Sequence, residues 1–164
     1  DLVRSRGLGD VYKRQIIMIA GIAFGPESGF LVGAISALAS NFFYSQGPYT
    51  PWQMMAYGAG GMLAGFVFAE GRLPRKPVVM GIFGFLAVTF FVGPLLDTCS
   101  VFLVMSRITL KGAMAFYISG FPVNLRQAVA TAIVLLVLGK PLLEKLDRIK
   151  TKYGILDDEG RKEA

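Results

Sequence analysis

The chain has 164 residues, of which 54% are hydrophobic and only 17% are charged, and its mean hydropathy is +0.55. A soluble domain carries about a quarter charged residues, so the composition predicts an all-α, polytopic membrane helical bundle, with a soluble all-α protein as the weaker alternative. The net charge of +6 does not indicate nucleic-acid binding, because the basic residues cluster beside apolar segments. The absence of histidine and the single cysteine, Cys99, exclude imidazole chemistry, an internal disulfide and a multi-cysteine metal site.

The first fifteen residues differ from the rest of the chain in being charged and aperiodic. Within them, Ser5–Gln15 reads SRGLGDVYKRQ, which resembles the translation of a sequencing-library adapter. We therefore predict that residues 1–15 are a non-native segment and leave them out of the fold argument. The alternative is a genuine basic N-terminal tail. The remaining chain divides into a helical bundle, 16–143, and a charged cytoplasmic tail, 144–164.

Apolar runs predict membrane helices at about 16–25, 27–45, 52–70, 77–105 and 121–143. The first run is too short to cross a bilayer, because ten helical residues extend only about 15 Å, and we interpret it as part of a clipped helix. The fourth contains Gly93 and Pro94, and a single kinked or tilted helix is predicted because no polar turn divides it. Arg107–Gly120 is predicted to be a moderately polar loop. The Leu143, Leu146 and Ile149 spacing predicts that the tail begins as a helix.

Small residues at four-residue spacing mark faces for close helix packing in a membrane. They occur at Gly29, Gly33 and Ala37, and the same stripe ends at Asn41. Gly61 and Gly65 form a similar pair. Asn41 is therefore predicted to point into the bundle, either toward a ligand or toward a neighbouring helix.

Basic residues set the predicted orientation. The short loop with Arg72, Arg75 and Lys76 and the Lys140–Lys152 segment fall on the same side, which is predicted to be cytoplasmic. The opposite connections carry few basic residues, so the segment 41–53 is predicted to face outward.

That outward segment carries more polar and aromatic residues than a turn requires. Asn41, Gln46, Trp52 and Gln53 are candidate ligand contacts, although an aromatic-belt position at the membrane interface is the alternative for Trp52. Asp97 is a further candidate because an ionisable residue inside an apolar helix is costly. Its alternative position is near the headgroups or water, after the kink at Pro94.

A resemblance to a known family rests on longer stretches of sequence. The run SNFFYSQGPYTPWQM, preceded by GPESGFLVGAISAL and followed by GMLAG, resembles the substrate-binding S components of energy-coupling factor (ECF) vitamin transporters. The segment GFPVNLRQAVATAIVLLVLGKPLLEKLDRIKTKYGI fits the same group, so the resemblance covers about Ile16 to Ile155.

The resemblance implies a six-helix fold with the first helix missing here and with both ends cytoplasmic, in a prokaryotic cell membrane. It also implies binding of a vitamin or precursor from outside. The implied partners are a transmembrane T component and two cytoplasmic ATPase subunits, which hydrolyse ATP, and no cofactor is implied for this chain. The chain has no Gly-x4-Gly-Lys-Ser/Thr phosphate loop, which agrees with a non-catalytic subunit.

We predict that the vitamin pocket is lined by aromatic rings and a few polar groups. Its predicted members are Asn41, Gln46, Trp52, Gln53, Tyr57, Asp97, Asn124 and Arg126. Ala128 and Ala132 are candidates for docking onto the T component, with packing inside the subunit as the alternative. Cobalamin-related, riboflavin and thiamine-like ligands are all open, with a weak preference for a cobalamin-related compound. The alternative functions are a stand-alone small transporter or channel and a membrane-embedded enzyme.

Overall fold

A computed structural model describes residues 2–44, 47–68, 72–104 and 109–153, with the backbone alone for residues 2–11, 44 and 104. These residues form an all-α bundle without strands, as the composition predicts. Its elements are α1 (Leu2–Phe24), α2 (Pro26–Tyr44), α3 (Thr50–Phe68), α4 (Pro77–Ala87), a π-helix (Val88–Val92), α5 (Gly93–Val104) and α6 (Leu110–Tyr153). Two stretches, Pro77–Leu103 and Leu110–Tyr153, are long and apolar enough to cross a membrane.

The helix predicted at 16–25 is the second part of the longer α1. Its C-terminal portion packs into the core, where Ile17 and Ile22 are almost completely buried. The chain then turns at Gly25, whose φ of +97° is a conformation that glycine adopts without strain. Pro26 begins α2 immediately afterward, because proline is well suited to the first position of a helix.

Glycines bring α1, α2 and α3 into backbone contact. A Cβ atom added to Gly61 would lie 2.2 Å from the carbonyl oxygen of Gly29, and one added to Gly21 would lie 2.2 Å from the carbonyl oxygen of Gly61. A Cβ atom on Gly33 would lie 2.5 Å from the carbonyl oxygen of Tyr57. The prediction of tightly packed small-residue faces on α2 and α3 is thus confirmed.

The fourth predicted span is one continuous but irregular helical stretch. It passes from α4 through the π-helix into α5, so no turn divides it, as predicted. The irregularity comes just before Gly93 and Pro94. Pro94 has no backbone N–H, and a π-turn locally widens the helix, so both features interrupt the regular hydrogen-bond ladder here.

The last helix is much longer than the span predicted at 121–143. The prediction of a loop over Arg107–Gly120 is wrong from Leu110 onward, because α6 starts there and includes Pro122 and Pro141. Polar Ser119 is accommodated because its Oγ donates to carbonyls within the same helix, that of Ala115 at 2.8 Å and that of Phe116 at 3.1 Å. The tail does begin as a helix, with Leu143 buried in the core.

Contacts at the end of α6 define one end of the bundle. Arg75 and Asp147 form an ion pair at 3.5 Å. The ammonium group of Lys150 donates to the carbonyl oxygen of Ala23, at the C-terminus of α1. We call this the 72–76 end, and we call the opposite end, which carries the connection between α2 and α3, the 47–50 end. The basic loop and the basic tail therefore share one end, as the order of the spans predicts.

Candidate functional site

At the 47–50 end, a small hydrogen-bond network closes the connection between α2 and α3. The Nδ2 atom of Asn41 donates to Oγ1 of Thr50 at 3.2 Å and to Oε1 of Gln53 at 2.9 Å. The Thr50 N–H donates to the carbonyl oxygen of Gly47 at 3.0 Å, which forms a turn before Pro51 enters the first turn of α3. Asn41 is 7% exposed, so its position inside the bundle is confirmed. Its amide nitrogen contacts a neighbouring helix.

Trp52 connects α3 to α5. Its indole Nε1–H donates to the carbonyl oxygen of Leu95 at 2.7 Å. Its ring also lies against Phe102, with ring centroids 6.0 Å apart and an interplanar angle of 44°. The indole is 39% exposed, so it is neither fully in the core nor free of protein contacts.

Asp97 and Asn124 form a polar pair between α5 and α6. The Nδ2 atom of Asn124 donates to Oδ2 of Asp97 at 2.7 Å. Two glycines permit this approach. A Cβ atom on Gly120 would lie 2.6 Å from Oδ1 of Asp97, and one on Gly93 would lie 2.7 Å from Cγ of Asn124. Asn124 is buried and Asp97 is half-buried.

A second polar contact joins the same two helices. The hydroxyl groups of Thr98 and Tyr117 are 2.6 Å apart, and the Thr98 hydroxyl lies 2.7 Å from the carbonyl oxygen of Pro94. Sequence reasoning missed both residues. Thr98 could have been found as the neighbour of Asp97, whereas Tyr117 fell in the segment predicted to be a loop.

Tyr57 lies deeper than Gln53, one helical turn along α3. It is 5% exposed and belongs to a core cluster with Ile17, Ala37 and Val92. The Lys13 ammonium lies 4.8 Å from the centre of its ring. Tyr57 therefore supports the interior of the bundle beneath the network of Asn41.

Buried polar atoms also occur in the middle of the bundle. The Nε atom of Arg14, Nε2 of Gln15 and Oγ1 of Thr89 have no hydrogen-bond partner within the described part of the chain. A guanidinium nitrogen of Arg14 does donate to Oε1 of Gln127 on α6. Two of these three atoms belong to the segment whose sequence resembles an adapter.

The other predicted site residues have different positions. Arg126 is exposed on α6. Ala128 is completely buried, and the Ala132 carbonyl oxygen lies 3.3 Å from the position of a Cβ atom added to Gly81 of α4. Ala128 thus packs inside the subunit, whereas docking of this pair onto a T component stays a prediction. Gln46 lies outside the described residues.

The structure therefore brings the predicted residues into two groups. Asn41 and Gln53 meet on α2 and α3, whereas Asp97 and Asn124 meet on α5 and α6, and Trp52 extends from the first group to the second. The second group offers a carboxylate, a carboxamide and two hydroxyl groups at one end of the bundle. The carboxylate accepts hydrogen bonds, and the carboxamide and hydroxyl groups can both donate and accept them, which suits an uncharged ligand rich in ring nitrogens or hydroxyl groups.

One comparison with known proteins identifies a family. Residues 12–144 match the family described as "ECF-type riboflavin transporter, S component". No curated protein and no solved structure matches the chain. The family is thus the one suggested by the sequence motifs, but the weak preference for a cobalamin-related ligand is not supported, because the matching family is the riboflavin one. The match covers most of the chain, and the chain belongs to the family of S components of ECF-type riboflavin transporters.

Proposed function

We propose that this chain is the substrate-binding membrane subunit that captures riboflavin for import by an ECF-type transporter. The observation that carries the proposal is the family match over residues 12–144. The polar groups at the 47–50 end support it, because their hydrogen-bond donors and acceptors can pair with those of riboflavin.

Riboflavin combines a flat heteroaromatic ring with a chain of hydroxyl groups. The Asp97 carboxylate has about four lone-pair positions, and the bond from Asn124 uses one of them. The remaining acceptor capacity suits the donor hydroxyls and the ring N–H of such a ligand. The Thr98 and Tyr117 hydroxyls add groups that can both donate and accept. We therefore assign the contacts with the polar parts of the vitamin to this group between α5 and α6.

The first group, which lies between α2 and α3, supports the site and its entrance. Asn41 and Gln53 hold the connection between α2 and α3 in place, and Gln53 is half-buried beside it. Tyr57 lies beneath them. The exposed position of Arg126 supports a role in anchoring α6 at the membrane surface rather than in binding the vitamin.

The orientation follows from charge. The 72–76 end carries Arg72, Arg75 and Lys76, together with the basic residues near the end of α6. Cytoplasmic loops are rich in lysine and arginine, so this end is cytoplasmic in the proposal and the polar groups at the 47–50 end face outward. The C-terminus is then cytoplasmic, and the chain crosses the membrane several times.

Riboflavin binding can be tested with the full chain in lipid nanodiscs. Titration with riboflavin, followed by quenching of flavin fluorescence, should give saturable binding. Thiamine and cobalamin should not compete at matched concentrations. Saturable binding of cobalamin with no binding of riboflavin would contradict the assigned ligand, although the family assignment would stand.

The partner subunits need a separate test. We propose a transmembrane T component and two cytoplasmic ATPases, because a chain of this family supplies substrate recognition. Uptake of labelled riboflavin into proteoliposomes should require all of them and internal ATP. Full uptake by the chain alone would favour a stand-alone transporter.

Cysteine labelling can test the orientation. In a Cys99→Ala background, Pro48→Cys and Lys76→Cys place single thiols at exposed positions at the two ends. An impermeant maleimide added to intact cells should label the first thiol and should reach the second only after the membrane is opened. The reverse pattern would place the 72–76 end outside.

A further inference from the structure

The stretch from α4 to α5 is irregular where it passes through the π-helix. The π-helix covers Val88–Val92, and Pro94 follows without a backbone N–H. In a regular helix, an unbroken series of backbone hydrogen bonds connects the two halves. Because that series is interrupted here, the part of the stretch after Pro94 is held less firmly to α4. Its position depends on contacts with other helices.

One such contact comes from α3. The indole Nε1–H of Trp52 donates to the carbonyl oxygen of Leu95, the residue immediately after Pro94. The ring of Trp52 also packs against Phe102, near the other end of α5. A single side chain thus contacts α5 close to both of its ends, and it does so from the helix that follows the connection at 47–50.

The residues held by this contact are those that extend to α6. Asp97 and Thr98 follow Leu95 by two and three positions, and they contact Asn124 and Tyr117. A shift of α5 relative to α3 would therefore move the carboxylate and the hydroxyl together. These are two of the groups to which the polar contacts with the vitamin were assigned above.

We propose that Trp52 is a positioning residue for the vitamin site, which acts through its hydrogen bond to the carbonyl oxygen of Leu95 rather than by stacking on the ligand. It fixes α5 against α3 and so places Asp97 and Thr98. The inference rests on the proposed riboflavin site for its functional consequence, but the contact between Trp52 and α5 can be tested without any ligand.

The test removes the N–H while keeping the ring. Trp52→Phe retains an aromatic ring, and replacement of Trp52 by the isostere benzothienylalanine retains the whole shape and lacks only the donor. Hydrogen exchange in nanodiscs without ligand should become about fivefold faster at the amides of α5, which corresponds to the loss of one ordinary hydrogen bond. The amides of α4 should exchange at the wild-type rate.

A second readout follows the ligand. Riboflavin should dissociate about fivefold faster from both variants, in parallel with the exchange at α5. As a control, Phe102→Leu removes the ring contact but leaves the Trp52 donor in place, so it should change dissociation less than the isostere does.

Four outcomes have distinct meanings. Unchanged exchange at α5 in the isosteric variant would overturn the proposal, and so would faster exchange with an unchanged dissociation rate. If Trp52→Phe does not fold, the isosteric variant decides alone. If the wild type binds no riboflavin, the proposed function fails, whereas faster exchange at α5 would still establish the contact of Trp52 with that helix.

Discussion

Asn124 donates a hydrogen bond from Nδ2 to Oδ2 of Asp97 at 2.7 Å, and this bond joins α5 to α6 at the end of the bundle that the proposal turns outward. An acidic side chain in an apolar helix is costly, and here it has an uncharged amide as its hydrogen-bond partner. The bond from Asn124 leaves further acceptor positions on the Asp97 carboxyl group for a ligand.

The first prediction concerns this acceptor. Asp97→Asn should lower the affinity for riboflavin about tenfold, because it replaces one oxygen of the carboxyl group by an amide NH2 donor and so removes a hydrogen-bond acceptor from the site. Fluorescence titration would measure it. Ser119→Ala is a control, since among the described residues Ser119 bonds to carbonyls of its own helix, and it should leave the affinity unchanged. Wild-type affinity in Asp97→Asn would remove Asp97 from the site.

The second prediction concerns the connection at 47–50. Asn41→Ala should lower the free energy of unfolding by about 1 kcal/mol, because side-chain hydrogen bonds between membrane helices are modest. It removes the bonds to Thr50 and Gln53. Thermal unfolding in nanodiscs would measure the loss. A variant as stable as the wild type but defective in binding would instead indicate that Asn41 contacts the ligand.

The third prediction concerns the glycine contacts. Gly61→Ala should destabilise the protein by about 1–3 kcal/mol or more, because overpacking a tight interface displaces the backbone. The added Cβ atom would lie 2.2 Å from the carbonyl oxygen of Gly29. Ala39→Val on the exposed face of α2 is the control and should have a small effect. Equal stability of the two variants would contradict the close approach of α2 and α3.

The fourth prediction concerns the N-terminal part of α1. Gln15 is 2% exposed, and its Nε2 has no partner within the described residues. Gln15→Leu, with a similar volume, should therefore be neutral or raise the free energy of unfolding by about 1 kcal/mol. Gln127→Leu serves as the comparison. It should lower the free energy of unfolding, since it removes the hydrogen-bond acceptor used by Arg14.

This result also bears on the origin of the segment. We propose that residues 1–15 are non-native, but the family match begins at residue 12 and so includes Gln15. A gain of stability on replacing this buried polar residue would support the proposal for the overlapping residues 12–15. A loss of riboflavin affinity in Gln15→Leu would instead make Gln15 part of the site.

The fifth prediction concerns pH. Burial lowers the pKa of the Lys150 ammonium group below its usual value of 10.5, with Asp147 opposing the shift and Arg75 adding to it. At pH values between the pKa of Lys150 in the folded state and its pKa in the unfolded state, the unfolded state binds more protons. The contribution of Lys150 to the free energy of unfolding therefore rises with pH in that window. Below the pKa of Lys150 in the folded state, the free-energy cost of burying its ammonium group no longer changes with pH.

Thermal unfolding of the wild type and of Lys150→Gln would check the sign. The wild type should gain stability relative to the variant as the pH rises toward the usual lysine pKa of 10.5. If the free energies of unfolding of the two proteins change with pH in parallel, the environment of Lys150 does not shift its pKa.

Local spacing allowed much of the fold to be predicted. The stripe from Gly29 to Asn41 indicated which face of α2 packs inward, because four-residue steps stay on one face of a helix. Basic residues indicated that the Arg72–Lys76 loop and the tail share one end. The continuity of the helix through Pro94 followed from the lack of a polar turn.

The site was harder to predict because it depends on distant pairs. Asp97 and Asn124 were each singled out, but no spacing indicates that residues on different helices form a hydrogen bond. Tyr117 was missed because the segment around it was read as a loop, whereas Ser119 bonds to its own helix and Leu110 begins α6. The bond from Trp52 to Leu95 depends on a backbone carbonyl, which carries no sequence signal.

The glycine contacts among the first three helices have a mechanical consequence. Where Gly21, Gly29 and Gly61 meet, backbone lies directly against backbone, with the Ile17 side chain beside Gly61, so there is little room for one helix to slide past another. We therefore expect these three helices to resist sliding past one another. We expect a rearrangement of the bundle to involve the other half instead, where a π-turn and a proline interrupt a long helix.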